Sequence, residues 1–214
     1  LVRLASDARV AGMLSGKCGM ITLHMGSDDR TLSLVEQALE TTSIPIKIFH
    51  PTHVTRSRKL LGEAFDFAKQ GGFIDMTCGS KGESAPSLCV MRAKEQGVPL
   101  QNITFSSDGM GSWSTYDEAG NLLRIGYSAV DTVYQEIKRL VQEYKMPLEE
   151  ALCFGTSNTA RALEIERKKG HIAPGVDADL LLMDEDLTMN TVIAGGQVMM
   201  EDHVLLKKGT YEAE

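Results

Sequence analysis

No Cys-x-x-Cys pair occurs among the four cysteines, Cys18, Cys78, Cys89 and Cys153, and their spacing forms no disulfide framework. That excludes a disulfide-stapled secreted module and fits a reducing compartment, so the cytoplasm is the expected location. Apolar runs are only a few residues long, far short of a membrane span, and the start has no basic and apolar pattern of a signal peptide. Basic residues are outnumbered, 22 Lys and Arg against 29 Asp and Glu for a net charge of −7, and they form no block. Nucleic acid is therefore excluded as a partner, because nothing could follow a phosphate backbone. No G-x-G-x-x-G follows the first predicted strand, which removes the dinucleotide fingerprint. The first residue is Leu1 rather than Met, so the chain reads as processed or as a piece of something longer.

What is present is enough apolar residue for a core, 43% of 214 residues, arranged with a repeat. The spacing predicts a helix over Arg3 to Leu14, stopped near Gly16 and Gly19, and then a strand at Met20 to Met25. Gly26-Ser27-Asp28-Asp29 offers a turn and N-cap candidates for a helix carrying Leu32, Leu34, Val35, Ala38 and Leu39. A second strand is expected at Ile44 to His50, with Pro51 to Arg56 as its loop and a helix over Leu60 to Gln70. Phe73 to Thr77 and the run from Ile103 give the third and fourth strands, separated by a helix near Ser84 to Gln96. The strand ends fall near His24, His53, Cys78 and Asp108, 25 to 30 residues apart, the length of one βα unit of a parallel sheet. Four such units fit half of an eight-stranded barrel or part of a doubly wound sheet. Recurrence of charged and metal-binding residue types at successive strand ends favours the barrel.

After Asp108 comes a loop with Gly109, Gly111, Trp113 and Tyr116 that could fold over a site as a lid, then the turn Asp117-Glu118-Ala119-Gly120-Asn121. Helical periodicity returns from Ala129 to Tyr144, Pro147 restarts it, and Thr156 or Ser157 caps a last helix through Ile165. Beyond Lys168-Lys169-Gly170 the pattern becomes short strands at Ala178 to Asp184, Thr191 to Ala194 and Gln197 to Met200. The last two can pair as a hairpin across Gly195-Gly196.

His24, His53 and Asp108 form a nitrogen, nitrogen and oxygen set of the kind that holds zinc, provided the fold gathers them. Each has a plainer reading: His24 as a satisfied core histidine, Asp108 as a turn residue in Asp-Gly. His53 lies beyond its strand, where packing explains it less well; His50 could stand in for it but reads as structural. Arg56, in the same loop, could fork onto a substrate carboxylate or simply be solvated, and Ser112 could donate to substrate or merely shape the turn. Asp75, His171 and His203 fall outside the strand-end pattern and read as structural or surface residues.

Leu23-His24-Met25-Gly26, Pro51-Thr52-His53-Val54-Thr55-Arg56 and Ser106-Ser107-Asp108-Gly109-Met110-Gly111-Ser112 together resemble the bacterial isoaspartyl dipeptidases of the amidohydrolase superfamily. Gly170 to Leu181 resembles the segment by which that superfamily enters its C-terminal β-domain. The resemblance implies the second half, about four βα units, of a TIM-type (β/α)8 amidohydrolase barrel over residues 1–168 and part of a small C-terminal β-sandwich over 169–214. It implies two zinc ions in the complete enzyme, with His24 and His53 on one metal and Asp108 on the other. Asp108 would be general base on the bridging hydroxide and then acid to the leaving amine. Arg56 would bind a substrate carboxylate, Ser112 the isoaspartyl end, and the substrate would be a small β-aspartyl dipeptide, handled by a homo-oligomer.

The family's upstream His-x-His and bridging carboxylated lysine have no counterpart in these 214 residues. The expectation is weak zinc binding, no turnover by this chain alone, and sheet edges prone to association. Two alternatives stand beside this reading: an amidohydrolase of cyclic amides, such as a hydantoinase or dihydroorotase, and a non-catalytic binding or assembly module.

Overall fold

The computed structural model describes residues 1–209, which divide into two compact units, Leu1–Ile165 and a second beginning at Glu166. Among the described residues no helix is long and apolar enough to cross a membrane.

The first unit begins with helix α1 (Val2–Ser15), closed by Gly16 in the left-handed region at φ 63°. Strand β1 (Ile21–His24) pairs in parallel with β2 (Phe49–Thr52), in register Ile21 to Phe49 and His24 to Thr52. Strand β3 (Ile74–Thr77) pairs in parallel with β4 (Ile103–Ser106), Ile74 opposite Ile103 and Thr77 opposite Ser106. Helices α2 (Ser33–Thr41), α3 (Arg58–Lys69) and α4 (Pro86–Glu95) make the crossovers that parallel strands require. β2 and β3 lie side by side and are tied through side chains, Thr52 Oγ1 donating to Asp75 Oδ2 at 2.6 Å. Ile74, Met76 and Ile103 are fully enclosed, as befits parallel strands covered on both faces.

α3 shows how local sequence and packing agree. Ser57 caps it by accepting the Leu60 N–H at 3.1 Å, and Leu60, Leu61, Ala64, Phe65 and Ala68 form its buried face. At its end Gly72 lies beneath the Phe67 ring, so close that a Cβ there would run into the ring. The last helices, α5 (Thr132–Gln142), α6 (Leu148–Leu152) and α7 (Ser157–Ala162), bring Phe154 onto β4, where it stacks on Phe105 with ring centroids 4.9 Å apart.

Three sequence expectations shift. The second strand starts at Phe49 rather than Ile44, because Ile46–Ile48 forms a 3-10 turn, and it continues through Pro51 and Thr52, which the sequence pattern places in the loop. The expected lid loop is a β-hairpin, β5 (Ser112–Tyr116) against β6 (Leu122–Tyr127), turned at Asp117 to Asn121. Across the strands Ser114 faces Ile125 and Thr115 faces Arg124, and Gly126 opposite Trp113 leaves room for the indole. The last helix ends at Ala162, three residues earlier than Ile165.

The second unit is a four-stranded antiparallel sheet in the order β10 (Val204–Leu205), β9 (Gln197–Glu201), β8 (Met189–Ala194), β7 (Leu180–Met183). Gly195 and Gly196, at φ 55° and 76°, make the β8 to β9 hairpin, since a tight turn of this hand needs positive φ at both positions. The expected β-portion at 169–214 runs past the described residues at 210–214.

Candidate active site

The candidate residues lie at the C-terminal ends of the parallel strands. His24 is the last residue of β1. His53 follows β2 directly and holds a left-handed backbone at φ 61°, a conformation disfavoured for a residue with a Cβ and one that turns the chain sharply out of the strand. The consequence is that the two imidazoles meet: His24 Nδ1 and His53 Nε2 are 3.1 Å apart. The other nitrogen of His53, Nδ1, is 2.7 Å from Thr77 Oγ1 at the end of β3.

Asp108 lies two residues past β4, also left-handed at φ 49°. Its carbonyl accepts the Gly111 N–H at 2.8 Å, and a Cβ on Gly111 would sit 2.9 Å from the Asp108 carboxyl, so the tight turn requires that glycine. His53 and Asp108 are shared by two adjoining clefts. One, of about 310 Å³, is floored by His50, Thr52, Asp75 and Thr104 and also reaches His24. The other, of about 370 Å³, is bounded by Arg56, Thr77, Trp113 and Tyr127.

Burial pushes the His53 pKa down, the Arg56 guanidinium adds to that, and the Asp108 carboxylate opposes it. A neutral His53 is the form that offers a lone pair. Arg56 is exposed on a 3-10 turn after His53, and one of its terminal nitrogens donates to the Met25 carbonyl at 2.7 Å, which ties the two strand-end loops together. Ser112 opens β5 opposite Tyr127, four residues beyond Asp108, and is exposed. The structure thus gathers His24, His53, Asp108 and Arg56 around adjoining clefts, while Ser112 stands on the hairpin beside them.

Two ligands of a tetrahedral metal bound at about 2.0–2.1 Å stand roughly 3.3–3.4 Å from one another. The 3.1 Å between the imidazole nitrogens needs to open by only a few tenths of an ångström to admit an ion. Among the described residues no group of three or more His, Cys, Asp and Glu side chains could hold a metal. The spacing of the pair is close to that of two nitrogen donors on one divalent ion.

Residues 22–209 match the amidohydrolase family. The chain belongs to that family. Among solved structures, the β-aspartyl dipeptidase of Fervidobacterium islandicum AW-1 in complex with the β-Asp-Leu dipeptide aligns with a TM-score of 0.90 and 39% identity, over 99% of this chain and 55% of that one. A second structure of β-aspartyl dipeptidase from the same organism gives a TM-score of 0.85 and 37% identity, over 99% and 53%. The N-acetylglucosamine-6-phosphate deacetylase of Pasteurella multocida shares the fold at a TM-score of 0.61 and 19% identity, over 91% and 54%. This amidohydrolase chain therefore spans about half the length of the dipeptidases it resembles.

One residue read from the sequence as structural or surface is buried in the site. Asp75 is 5% exposed and lies on the cleft floor, where it accepts from the hydroxyls of Thr52, Thr104 and Ser106 at 2.6, 2.8 and 2.6 Å. A signal was available: in Phe73-Ile74-Asp75-Met76-Thr77 the strand period places Asp75 and Thr77 on one face, opposite the apolar Ile74 and Met76. His50 is buried, as a structural reading requires, with Nε2 3.2 Å from Thr104 Oγ1 and Nδ1 without a partner among the described residues.

Proposed function

We propose that this chain supplies the C-terminal half of a β-aspartyl dipeptidase that works as a cytoplasmic homo-oligomer. In this reading residues 1–168 are four βα units of a (β/α)8 barrel and 169–214 belong to a β-sandwich. The observation that carries it is the convergence of His24 and His53 at 3.1 Å, beside Asp108, at the ends of parallel strands in a chain 39% identical to a β-aspartyl dipeptidase.

The bond broken joins an aspartate side-chain carboxyl to the α-amine of the next residue. His24 and His53 would hold one zinc, and Asp108 would touch a second. A bound metal supplies polarisation of the amide carbonyl and a lowered pKa for the attacking water. Asp108 would accept a proton from the attacking water on its carboxylate and would return it to the departing amine nitrogen, so one carboxylate would serve as base and then as acid. Arg56, anchored through Met25, presents its guanidinium to the substrate's free carboxylate, a charge-assisted contact. Ser112, next to Trp113 on the hairpin, donates to the isoaspartyl end, and Trp113 and Tyr127 wall the cleft that Arg56 bounds. An acyclic dipeptide has a free carboxylate for Arg56 to hold, whereas a cyclic amide does not.

The test is hydrolysis of β-aspartyl-leucine, with α-aspartyl-leucine and a hydantoin for comparison, by this chain and by the same protein extended upstream to its start codon. The expected result is no turnover by the 214-residue chain, cleavage of the β-linked dipeptide alone by the longer protein, and a loss of about 10²–10⁴ in rate in Asp108→Asn. Hydantoin cleavage would instead identify a cyclic-amide amidohydrolase, and no turnover of any substrate a non-catalytic module.

A further inference from the structure

Beneath the imidazole pair lies a connected set of buried hydroxyls that ends on Asp75. A carboxylate only accepts hydrogen bonds, so every proton around it must point inward. Thr52 Oγ1 donates its single proton to Asp75 Oδ2 at 2.6 Å. Thr52 then has nothing to give Thr77, whose hydroxyl lies 3.4 Å away, so a hydrogen bond between those two oxygens is donated by Thr77. A Thr77 hydroxyl turned toward Thr52 has no proton left for His53 Nδ1 at 2.7 Å, and in that arrangement the nitrogen is the donor. With Nδ1 protonated on a neutral ring, Nε2 is left as a lone pair facing His24.

The same logic runs through Thr104. Its hydroxyl donates to Asp75 Oδ1 at 2.8 Å, so His50 Nε2, 3.2 Å from Thr104 Oγ1, is the donor there and His50 carries the opposite tautomer. This also explains why His50 Nδ1 lacks a partner: it is a bare acceptor, which is less costly to bury than an unpaired N–H.

We propose that Asp75 is a positioning residue that fixes His53 as its Nδ1–H tautomer through the hydroxyls of Thr52 and Thr77, keeping Nε2 open toward the cleft. Thr52, Asp75 and Thr104 are all nearly inaccessible, so water does not compete for the bonds onto Asp75, whereas Thr77 is half-buried. The tautomer rests on the relay running from His53 through Thr77 and Thr52 to Asp75. Its value for holding a metal rests on the function proposed above, and the two can fail separately, because the test needs neither metal nor substrate.

The experiment is long-range proton–nitrogen correlation NMR on the 214-residue chain, labelled with 15N-histidine and held near pH 8, where His53 is neutral. The His53 signals are assigned by their loss in His53→Gln. Wild type is expected to show protonated Nδ1 at His53 and protonated Nε2 at His50. Thr52→Val, close in shape, cuts the relay and is expected to abolish the single His53 pattern, with Nε2–H signals appearing. Ser106→Ala removes an equally short bond to the same Asp75 oxygen but lies off the relay, and is expected to leave His53 unchanged. Thr52→Ser is expected to restore the wild-type pattern. Should Thr52→Val fail to fold, Thr77→Val cuts the relay at its other end and leaves all three bonds to Asp75 intact. A protonated Nε2 at wild-type His53, an unchanged tautomer when the relay is cut, or an equal change in Ser106→Ala would overturn the proposal.

Discussion

Helix α4 has no side-chain cap of its own: Ala85 occupies the N-cap position and Pro86 the first turn. The Ser87 N–H is instead accepted at 3.0 Å by Glu136 Oε2, a carboxylate from α5 that is only 2% exposed. Glu136 Oε1 accepts from Arg139 at 2.5 Å. Replacing Glu136 by Ala leaves the Ser87 N–H buried without an acceptor, a loss of about 1–3 kcal/mol. It also removes one buried methylene, about 0.8 kcal/mol. Arg139 adds little, because its side chain is 34% exposed and water takes over from the lost carboxylate. Release of the buried charge from its desolvation returns part of the sum. The net expectation is destabilisation of about 2–3 kcal/mol, or roughly 4–12 °C in Tm for a domain of this size. Glu136→Gln keeps one carbonyl acceptor and is expected to lose about half as much. Urea unfolding followed by circular dichroism measures both, and hydrogen exchange at the Ser87 amide reports the cap directly. A change below about 0.5 kcal/mol in Glu136→Ala, with the Ser87 amide still protected, would refute the tertiary cap.

Three further predictions concern other parts of the first unit. Phe154→Ala empties a fully buried site stacked on Phe105 and is expected to destabilise by about 3–5 kcal/mol in chemical denaturation; a loss under 1 kcal/mol would mean that the stack does not hold β4. Burial pushes the Cys89 thiol up to about 11 and the Cys78 thiol up as well, so neither is a thiolate near neutral pH. In disulfide-exchange labelling of the native protein the part-exposed Cys153 is expected to react well before Cys78 and Cys89, which should react only on unfolding. Hydrogen bonding to the Arg30 side chain and backbone holds the Asp28 carboxyl down at about 2. Because that pKa is depressed in the folded state, the contact is intact above the ordinary carboxylate range and is lost as pH falls through about 2. A carbon-detected titration should find that midpoint, and Arg30→Ala should return it toward the ordinary value.

The chain's local order wrote out most of its elements. Runs such as Ile103-Thr104-Phe105, closed by glycine-rich turns, can only be short buried strands, and the 25 to 30 residue spacing between strand ends demands intervening helices. Gly195-Gly196 sets its hairpin because both positions need positive φ, which glycine adopts without strain. The residue types at the strand ends mark His24, His53 and Asp108 as one set. Where the sequence misled, a tertiary partner had overridden local preference. The Ser112 to Tyr127 segment reads as a glycine-rich loop, yet its residues pair across strands, and Trp113 needs Gly126 opposite it.

What the sequence by itself determined, then, was the order of strands and helices and the chemistry at the strand ends, because both follow from periodicity and residue type along the chain. Only the tertiary structure decided that His24 and His53 meet at 3.1 Å, that Glu136 caps a helix 49 residues away, and that Asp75 collects hydroxyls from β2 and β4. Those are distances between residues remote in sequence. They depend on how strands pair and helices pack, and on the need for every buried donor and carboxylate to find a partner, which no local pattern encodes.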